Sequence, residues 1–370
     1  MIIVMKPDLI EGSAELARVV ALAESFPGLR ARVHVIRGEA HAITEVHLHG
    51  STASVPEAPF EELDGVEKVV RVTEKFRAIG RHGGKLDAVG FEYNGVRLSQ
   101  DTLHVFPGLC AVDTREHVER MFAALREHGV VTTRAGAYKP RTSPYDFQGL
   151  GAACLPWVFE LAGKYGIRLV AMEVTHESHI DEIQTALRES GDATGVMLQI
   201  GTRNAQNFEL LKAVGSQREL PVLFKRGMGI TLEESLNACE YVASRGNHRI
   251  VFGLRGMKTN LGDPHRNLVD FAHVPVVKRL TRLPVGVDPS HSVGRRAVAP
   301  DGLLDSFHVT AQAVVAGANL VLVDFHPNPK EALCDGPQAL LLDELPHFLA
   351  DVAIARRAYE ERRRLRDAQA

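Results

Sequence analysis

The sequence predicts an α/β protein, a (β/α)8 TIM barrel preceded by a ferredoxin-like α+β domain. Two patterns lead there. Over residues 1–75, four short β-rich runs and two helical stretches succeed one another as βαββαβ, the split-βαβ plan. From residue 102, eight nearly all-apolar runs alternate with helical segments, which matches the count and length of a barrel whose sheet is covered on both faces. Hydrophobic residues at 45% and charged residues at 24% supply an ordinary globular core.

In chain order, residues 2–6 (IIVMK), 31–36 (ARVHVI), 41–49 (HAITEVHLH) and 66–72 (VEKVVRV) read as strands, with a helix over 13–25 and a shorter one around 60–65. Roughly 72 residues can just close a small core on that plan. Segment 73–100 mixes charges with glycines and reads as a connector followed by a hairpin or arm. The barrel strands are expected at 103–107, 130–134, 167–172, 195–200, 221–225, 249–253, 284–288 and 319–324. This divides the chain into 1–75, a connector at 76–101, a barrel at 102–350 and a C-terminal helix or tail at 351–370. A doubly wound open sheet is the structural competitor; neither a GxGxxG fingerprint nor a P-loop is present.

Several function classes are disfavoured. The net charge of −3 lacks the cationic surplus that drives nucleic-acid binding. Four cysteines, Cys110, Cys154, Cys239 and Cys334, contain no CxxC and form no disulfide framework or zinc knuckle. The opening MIIVMKPDLIEG lacks the pattern of a signal peptide, and no apolar stretch approaches the ~20 residues that cross a bilayer. A cytoplasmic protein with small-molecule substrates, and without membrane or nucleic-acid partners, is expected.

In a barrel, side chains just beyond the C-terminal strand ends converge on one mouth. Here those positions are polar. Strand 1 is followed by Cys110; strand 2 by Arg134, Lys139 and Arg141; strand 4 by Arg203; strand 5 by Lys225 and Arg226; strand 6 by Arg255. Strand 7 supplies Asp288 and His291, and strand 8 ends in Asp324 with His326 and Asp335 beyond. Any one of these cations alone is an ordinary solvated loop charge. Gathered in one concavity of an acidic protein they repel each other unless a polyanion sits among them, and phosphate and carboxylate suit the Arg fork and the Lys point charge. The implied ligand is a phosphorylated carboxylate, or two phosphorylated molecules.

A second set, Cys110, His291, Asp324 and Asp335, falls after strands 1, 7 and 8, which are neighbours in a closed barrel. One thiol, one imidazole and two carboxylates suit a divalent transition metal such as Mn, Fe, Co or Zn better than Mg or Ca. The long loop GAYKPRTSPYDFQGLG (136–151) presents Lys139, Arg141, Thr142 and Ser143 around Pro140, a phosphate-binding reading set against that of a plain surface loop. Cys334 stands next to Asp335, so oxidation to a disulfide with Cys110 is a further expectation.

With these residues in view, the sequence resembles the type I 3-deoxy-D-arabino-heptulosonate 7-phosphate (DAHP) synthases, in the branch with an N-terminal ferredoxin-like regulatory domain. The resemblance runs to about residue 345 and is densest in RAGAYKPRTSPYDFQGLG (134–151), QIGTRNAQNF (199–208), PVLFKRG (221–227), LPVGVDPSHSVGRR (283–296) and HPNPKEALCDG (326–336). It implies condensation of phosphoenolpyruvate with erythrose 4-phosphate, the first step of the shikimate pathway of aromatic amino acid biosynthesis. By the same resemblance, Arg134, Lys139, Arg203, Lys225 and Arg255 match the phosphoenolpyruvate positions. Arg141 and Thr142, with Ser143 beside them, match the aldose phosphate grip. Cys110, His291 and Asp335 match metal ligands, and Asp324 stands where a fourth, normally Glu, belongs. Lys139 and His291 are the expected proton handlers, Lys139 on the argument that neighbouring cations lower its pKa. A homo-oligomer, dimer or tetramer, and an aromatic amino acid effector at residues 1–75 are also implied.

The sequence departs from that pattern at three places. FPGLCA (106–111) stands where IAGPCS is usual, Leu254 replaces a Glu before Arg255, and Asp324 is shorter than Glu by one C–C bond, roughly 1.5 Å. Two other readings therefore stay open: a paralogue that condenses phosphoenolpyruvate with another phosphorylated aldose in secondary metabolism, and a weakly catalytic regulatory protein.

Overall fold

The structure, a computed structural model, describes all residues except 8, 10–11, 38–41, 53, 71–75, 82–89, 192–193 and 368–370. The chain divides into two compact units, Met1–Lys75 and Phe76–Ala370.

In the first unit, β1 (Ile2–Met5), β2 (Arg30–Arg37), β3 (Ala42–His49) and β4 (Val66–Val70) form an antiparallel sheet in the order β2-β3-β1-β4, the ferredoxin-like arrangement. Helix α1 (Ala14–Ser25) begins where the Ser13 hydroxyl accepts the Leu16 N–H, and its Leu16, Val19 and Ala23 share a core with Ile3, Met5 and Val46. Helix α2 (Ala58–Glu61) is shorter and earlier than expected. The left-handed Gly65 (φ 91°) turns the chain into β4 and leaves no room for a helix through 65. The last residues of the strand expected at 66–72, and much of the connector, lie outside the described residues.

The second unit opens with a hairpin, β5 (Phe91–Tyr93) and β6 (Val96–Leu98), joined by Asn94 and Gly95, both at positive φ as a two-residue turn requires. Eight parallel strands then close a barrel: β7 (His104–Leu109), β8 (Thr132–Ala135), β9 (Leu169–Val174), β10 (Gly195–Ile200), β11 (Val222–Lys225), β12 (Ile250–Leu254), β13 (Val285–Val287) and β14 (Leu320–His326). Pairing of β14 with both β13 and β7 closes the ring. The open-sheet competitor is thereby excluded. The outer layer is α3 (Arg115–Glu127), α4 (Leu155–Lys164), α5 (Ser178–Ser190), α6 (Phe208–Ser216), α7 (Leu232–Ser244), α8 (Val274–Leu280), α10 (Asp305–Val315) and α11 (Leu345–Asp367); the short α9 (Pro289–Val293) follows β13 directly. Helix α11 runs unbroken across residue 350, so the chain shows no break at the expected 350/351 division. A short β15 (Leu340–Leu341) pairs with the end of β14.

The hairpin decides which end of the barrel is open. Val96 and Leu98 pack against the interior residues Phe106, Leu169, Met197 and Leu320, closing the end where the strands begin. A Cβ on Gly195 would stand 2.5 Å from the Tyr93 ring, so glycine is required for that approach. The opposite end, where the strands finish, holds the polar residues.

Candidate active site and metal centre

Because β13, β14 and β7 are adjacent, the residues at their ends meet. Cys110 follows β7 directly, and Asp335 caps a turn beyond β14. His291 rides on α9, whose start is fixed by Asp288: the carboxylate accepts both the His291 backbone N–H and its Nδ1–H at 3.0 Å. That bond assigns a proton to Nδ1 and aims Nε2 at Cys110 Sγ, 3.7 Å away, and Asp335 Oδ2, 3.5 Å away. Cys110 Sγ lies 3.2 Å from Asp335 Oδ2. Asp324 is buried nearby, with an oxygen within 4.8 Å of donor atoms of both Cys110 and His291; one of its oxygens is 2.5 Å from Arg134 Nη1, and the other accepts from Gln338 Nε2 at 2.6 Å.

The cations gather beside this cluster. A concavity is lined by six of them, Lys139, Arg141, Arg203, Lys225, Arg255 and Arg266, against three carboxylates, Asp146, Glu173 and Asp335. Lys139 Nζ donates to Glu173 at 3.1 Å, and Lys225 donates to Asp288. Arg255 is 2% exposed, and its Nε and Nη1 have no hydrogen-bond partner among the described residues. Thr142 lines the rim, where its hydroxyl accepts from Arg203 Nη2 at 3.4 Å. Arg134 lies beneath the cavity floor, buried between Asp324 and Cys110. Ser143 is not brought to the cavity; its hydroxyl accepts the Tyr145 N–H and shapes the loop turn.

The electrostatics reverse one expectation. Burial lowers the Lys139 pKa, but its interactions with Cys110 and the Glu173 carboxylate outweigh it, so Lys139 is raised and firmly protonated. The expected lowering counted neighbouring cations and missed Glu173, the one carboxylate in an otherwise apolar strand. Lys225 is the lysine pushed down, because burial exceeds the pull of Asp288. His291, which burial alone would lower, is raised to about 10 by Asp288 and Asp324.

The chain matches the DAHP synthetase I family over residues 88–357 and the DAHP synthase ferredoxin-like domain over residues 1–74. It belongs to the DAHP synthetase I family. It is 37% identical over 340 residues to the phospho-2-dehydro-3-deoxyheptonate aldolase of Thermotoga maritima, covering 92% of this chain and 93% of that one. The crystal structure of the Thermotoga maritima enzyme superposes with a TM-score of 0.69 at 34% identity, over 95% of each chain. A 2-dehydro-3-deoxyphosphooctonate aldolase of Nitratidesulfovibrio vulgaris is 28% identical over 261 residues, covering 67% of this chain and 90% of that relative.

Within this family the thiol, imidazole and carboxylate donors fit a divalent metal: their mutual spacing suits a shared ion and the His291 tautomer is preset. Sequence reasoning passed over Arg266, which donates to Asp335 at 3.1 Å from a loop eleven residues beyond Arg255 with no periodic signal. It also missed a buried clamp. Asp113 accepts from His326 Nε2 at 2.7 Å and from His117 Nδ1 at 3.1 Å, while His326 Nδ1 accepts the Asn328 N–H. With its proton on Nε2, His326 ties β14 to the segment after β7; Asp113, His117 and His326 form a separate buried group with donor atoms within 4.8 Å of one another.

Proposed function

We propose that this chain joins phosphoenolpyruvate to erythrose 4-phosphate, releasing DAHP and inorganic phosphate, as a transferase at the first step of aromatic amino acid biosynthesis. The observation that carries the reading is Arg255, a buried guanidinium with two donors unpartnered among the described residues, in a concavity whose cations outnumber its carboxylates. Such donors await a dianion. In this reading Lys139, Arg203, Lys225 and Arg255 hold phosphoenolpyruvate, with Arg134 adding its charge from beneath the floor, while Arg141 and Thr142 hold the aldose phosphate, with Ser143 setting the loop's turn.

Cys110, His291 and Asp335, with Asp324 as the fourth candidate, would hold the metal, one of Mn, Fe, Co or Zn. When bound, that ion supplies Lewis-acid polarisation of the aldehyde oxygen. The chain's own residues align the two anions against their repulsion, so that C3 of the enol faces the aldehyde carbon. A carbon–carbon bond forms there, water adds at C2, and phosphate leaves with the oxygen it carried. Lys139, kept protonated by Glu173, is placed as the acid for the new alkoxide. His291 keeps its proton at Nδ1, against Asp288, and serves as a ligand.

One observation favours a second reading, another phosphorylated aldose as acceptor: Asp324 is engaged with Arg134 and Gln338. Phosphate release from phosphoenolpyruvate, measured with C4 and C5 aldose phosphates in metal and in chelator, separates the readings. Turnover with erythrose 4-phosphate supports the first and preference for another acceptor the second. Silence throughout supports a regulatory protein. We also propose a cytoplasmic homo-oligomer, dimer or tetramer, with an aromatic amino acid effector at residues 1–75. No helix among the described residues is long and apolar enough to cross a membrane. Inhibition by Tyr or Phe tests the effector, and light scattering tests the assembly.

A further inference from the structure

We propose that Cys334 is a metal ligand of this chain and that it, rather than Asp324, completes the shell of Cys110, His291 and Asp335. The inference rests on the reading that those three residues hold a divalent ion. Around a four-coordinate ion with metal–ligand bonds of about 2.0–2.3 Å, donor atoms stand ~3.3–3.8 Å apart. Cys334 Sγ lies 3.9 Å from Cys110 Sγ and 3.3 Å from Asp335 Oδ2. Together with Cys110–Asp335 at 3.2 Å, Cys110–His291 at 3.7 Å and His291–Asp335 at 3.5 Å, five of the six donor separations lie within about 0.1 Å of that range. Asp324 also stands within 4.8 Å of Cys110 and His291, but its contact to His291, at 3.8 Å, is to Nδ1, the nitrogen already given to Asp288, and its two oxygens contact Arg134 and Gln338.

The backbone brings Cys334 into place. Adjacent side chains in extended chain point to opposite sides, so Cys334 and Asp335 would ordinarily diverge. Asp335 instead adopts the left-handed conformation, φ 53° and ψ 28°, which is uncommon for a residue with a Cβ. That turn accompanies the convergence of the thiol and the carboxylate.

Charge points the same way. Each anionic donor has its own guanidinium: Arg134 Nη2 donates to Cys110 Sγ at 3.6 Å, Arg141 Nη1 to Cys334 Sγ at 2.9 Å and Arg266 Nη1 to Asp335 Oδ1 at 3.1 Å. Three arginines around a dication would repel it unless its shell carried surplus negative charge. Two thiolates and one carboxylate supply that surplus. As the ion binds, each thiol gives its proton to solvent while a metal–sulfur bond forms. A two-sulfur shell favours Zn, Co or Fe over Mn.

X-ray absorption of the zinc-loaded full-length protein, with the optical spectrum of the cobalt-loaded form, tests the assignment. The expected result is two sulfur neighbours at about 2.3 Å. Cys334→Ser should leave one sulfur, roughly halve the sulfur-to-cobalt charge-transfer absorbance and move metal preference toward Mn. Asp324→Asn should keep the ion and both sulfurs. A single sulfur in the wild type, or a Cys334→Ser spectrum unchanged while Cys110→Ser abolishes it, overturns the role of Cys334 and leaves the three-residue site standing. Loss of the ion in Asp324→Asn but not in Cys334→Ser overturns it too. Zinc bound without sulfur would sink both readings. The wild-type sulfur count decides the matter even if a variant fails to fold.

Discussion

Asp288 holds His291 and Lys225 at once, so Asp288→Asn should damage two properties that can be read separately. The carboxylate accepts the His291 Nδ1–H at 3.0 Å and sits against the Lys225 ammonium, with all three groups buried. Neutralising it leaves Lys225 charged and unpaired in the interior, which costs about 3–5 kcal/mol of folding stability. It also frees the His291 ring to rotate or change tautomer, and loss of such an orienting carboxylate weakens metal binding ~10–100-fold. Urea unfolding and competition for zinc against a fluorescent chelator measure the two effects. The double variant Asp288→Asn/Lys225→Met removes the orphaned charge and should recover most of the stability but none of the metal affinity. Zinc affinity within about twofold of wild type in the single variant, less than the change expected for an orienting partner, would refute the reasoning. So would a double variant no more stable than the single one.

Arg255→Met should stabilise the fold by ~1–2 kcal/mol by removing unsatisfied buried donors, yet weaken phosphoenolpyruvate binding about 30-fold or more; calorimetric titration and thermal unfolding check the pair. Ser143→Ala should leave KM for either substrate within about twofold, because its hydroxyl serves a turn, whereas Thr142→Ala should raise KM for the aldose phosphate; steady-state kinetics distinguish them. Lys278 donates to the carbonyls of Gln100 and Gly317, and burial followed by Arg356 pushes its pKa down to about 8 from 10.5. Between those values the unfolded chain binds more protons than the folded one, so this group makes stability rise with pH by up to ~3 kcal/mol. Lys278→Met should flatten that rise in urea unfolding at pH 8 and 10.5, and an unchanged slope counts against it.

The barrel was legible because each strand is a short apolar run and each run is followed by a helical segment. The convergence of Cys110, His291 and Asp335 then followed from strand order alone. What escaped depended on contacts that spacing does not encode. Glu173 stands inside an apolar strand, away from a list built on cations, and its omission inverted the expectation for Lys139. Arg266 enters from a long loop. Cys334 was read only as an oxidation partner, since nothing in a sequence announces the left-handed turn at Asp335. Helix α2 ends at Glu61, before the expected 60–65 span is complete, because the left-handed Gly65 turns the chain into β4.

All of this requires the cations and the metal donors to share one mouth, with the phosphorylated carboxylate lying beside the ion. The phosphorus relaxation rate of phosphoenolpyruvate bound to cobalt-loaded protein reports that proximity. Strong enhancement, absent with diamagnetic zinc and lost in Arg255→Met, is the expected result. Tight binding of phosphoenolpyruvate with no paramagnetic enhancement would place the two sites apart and contradict it.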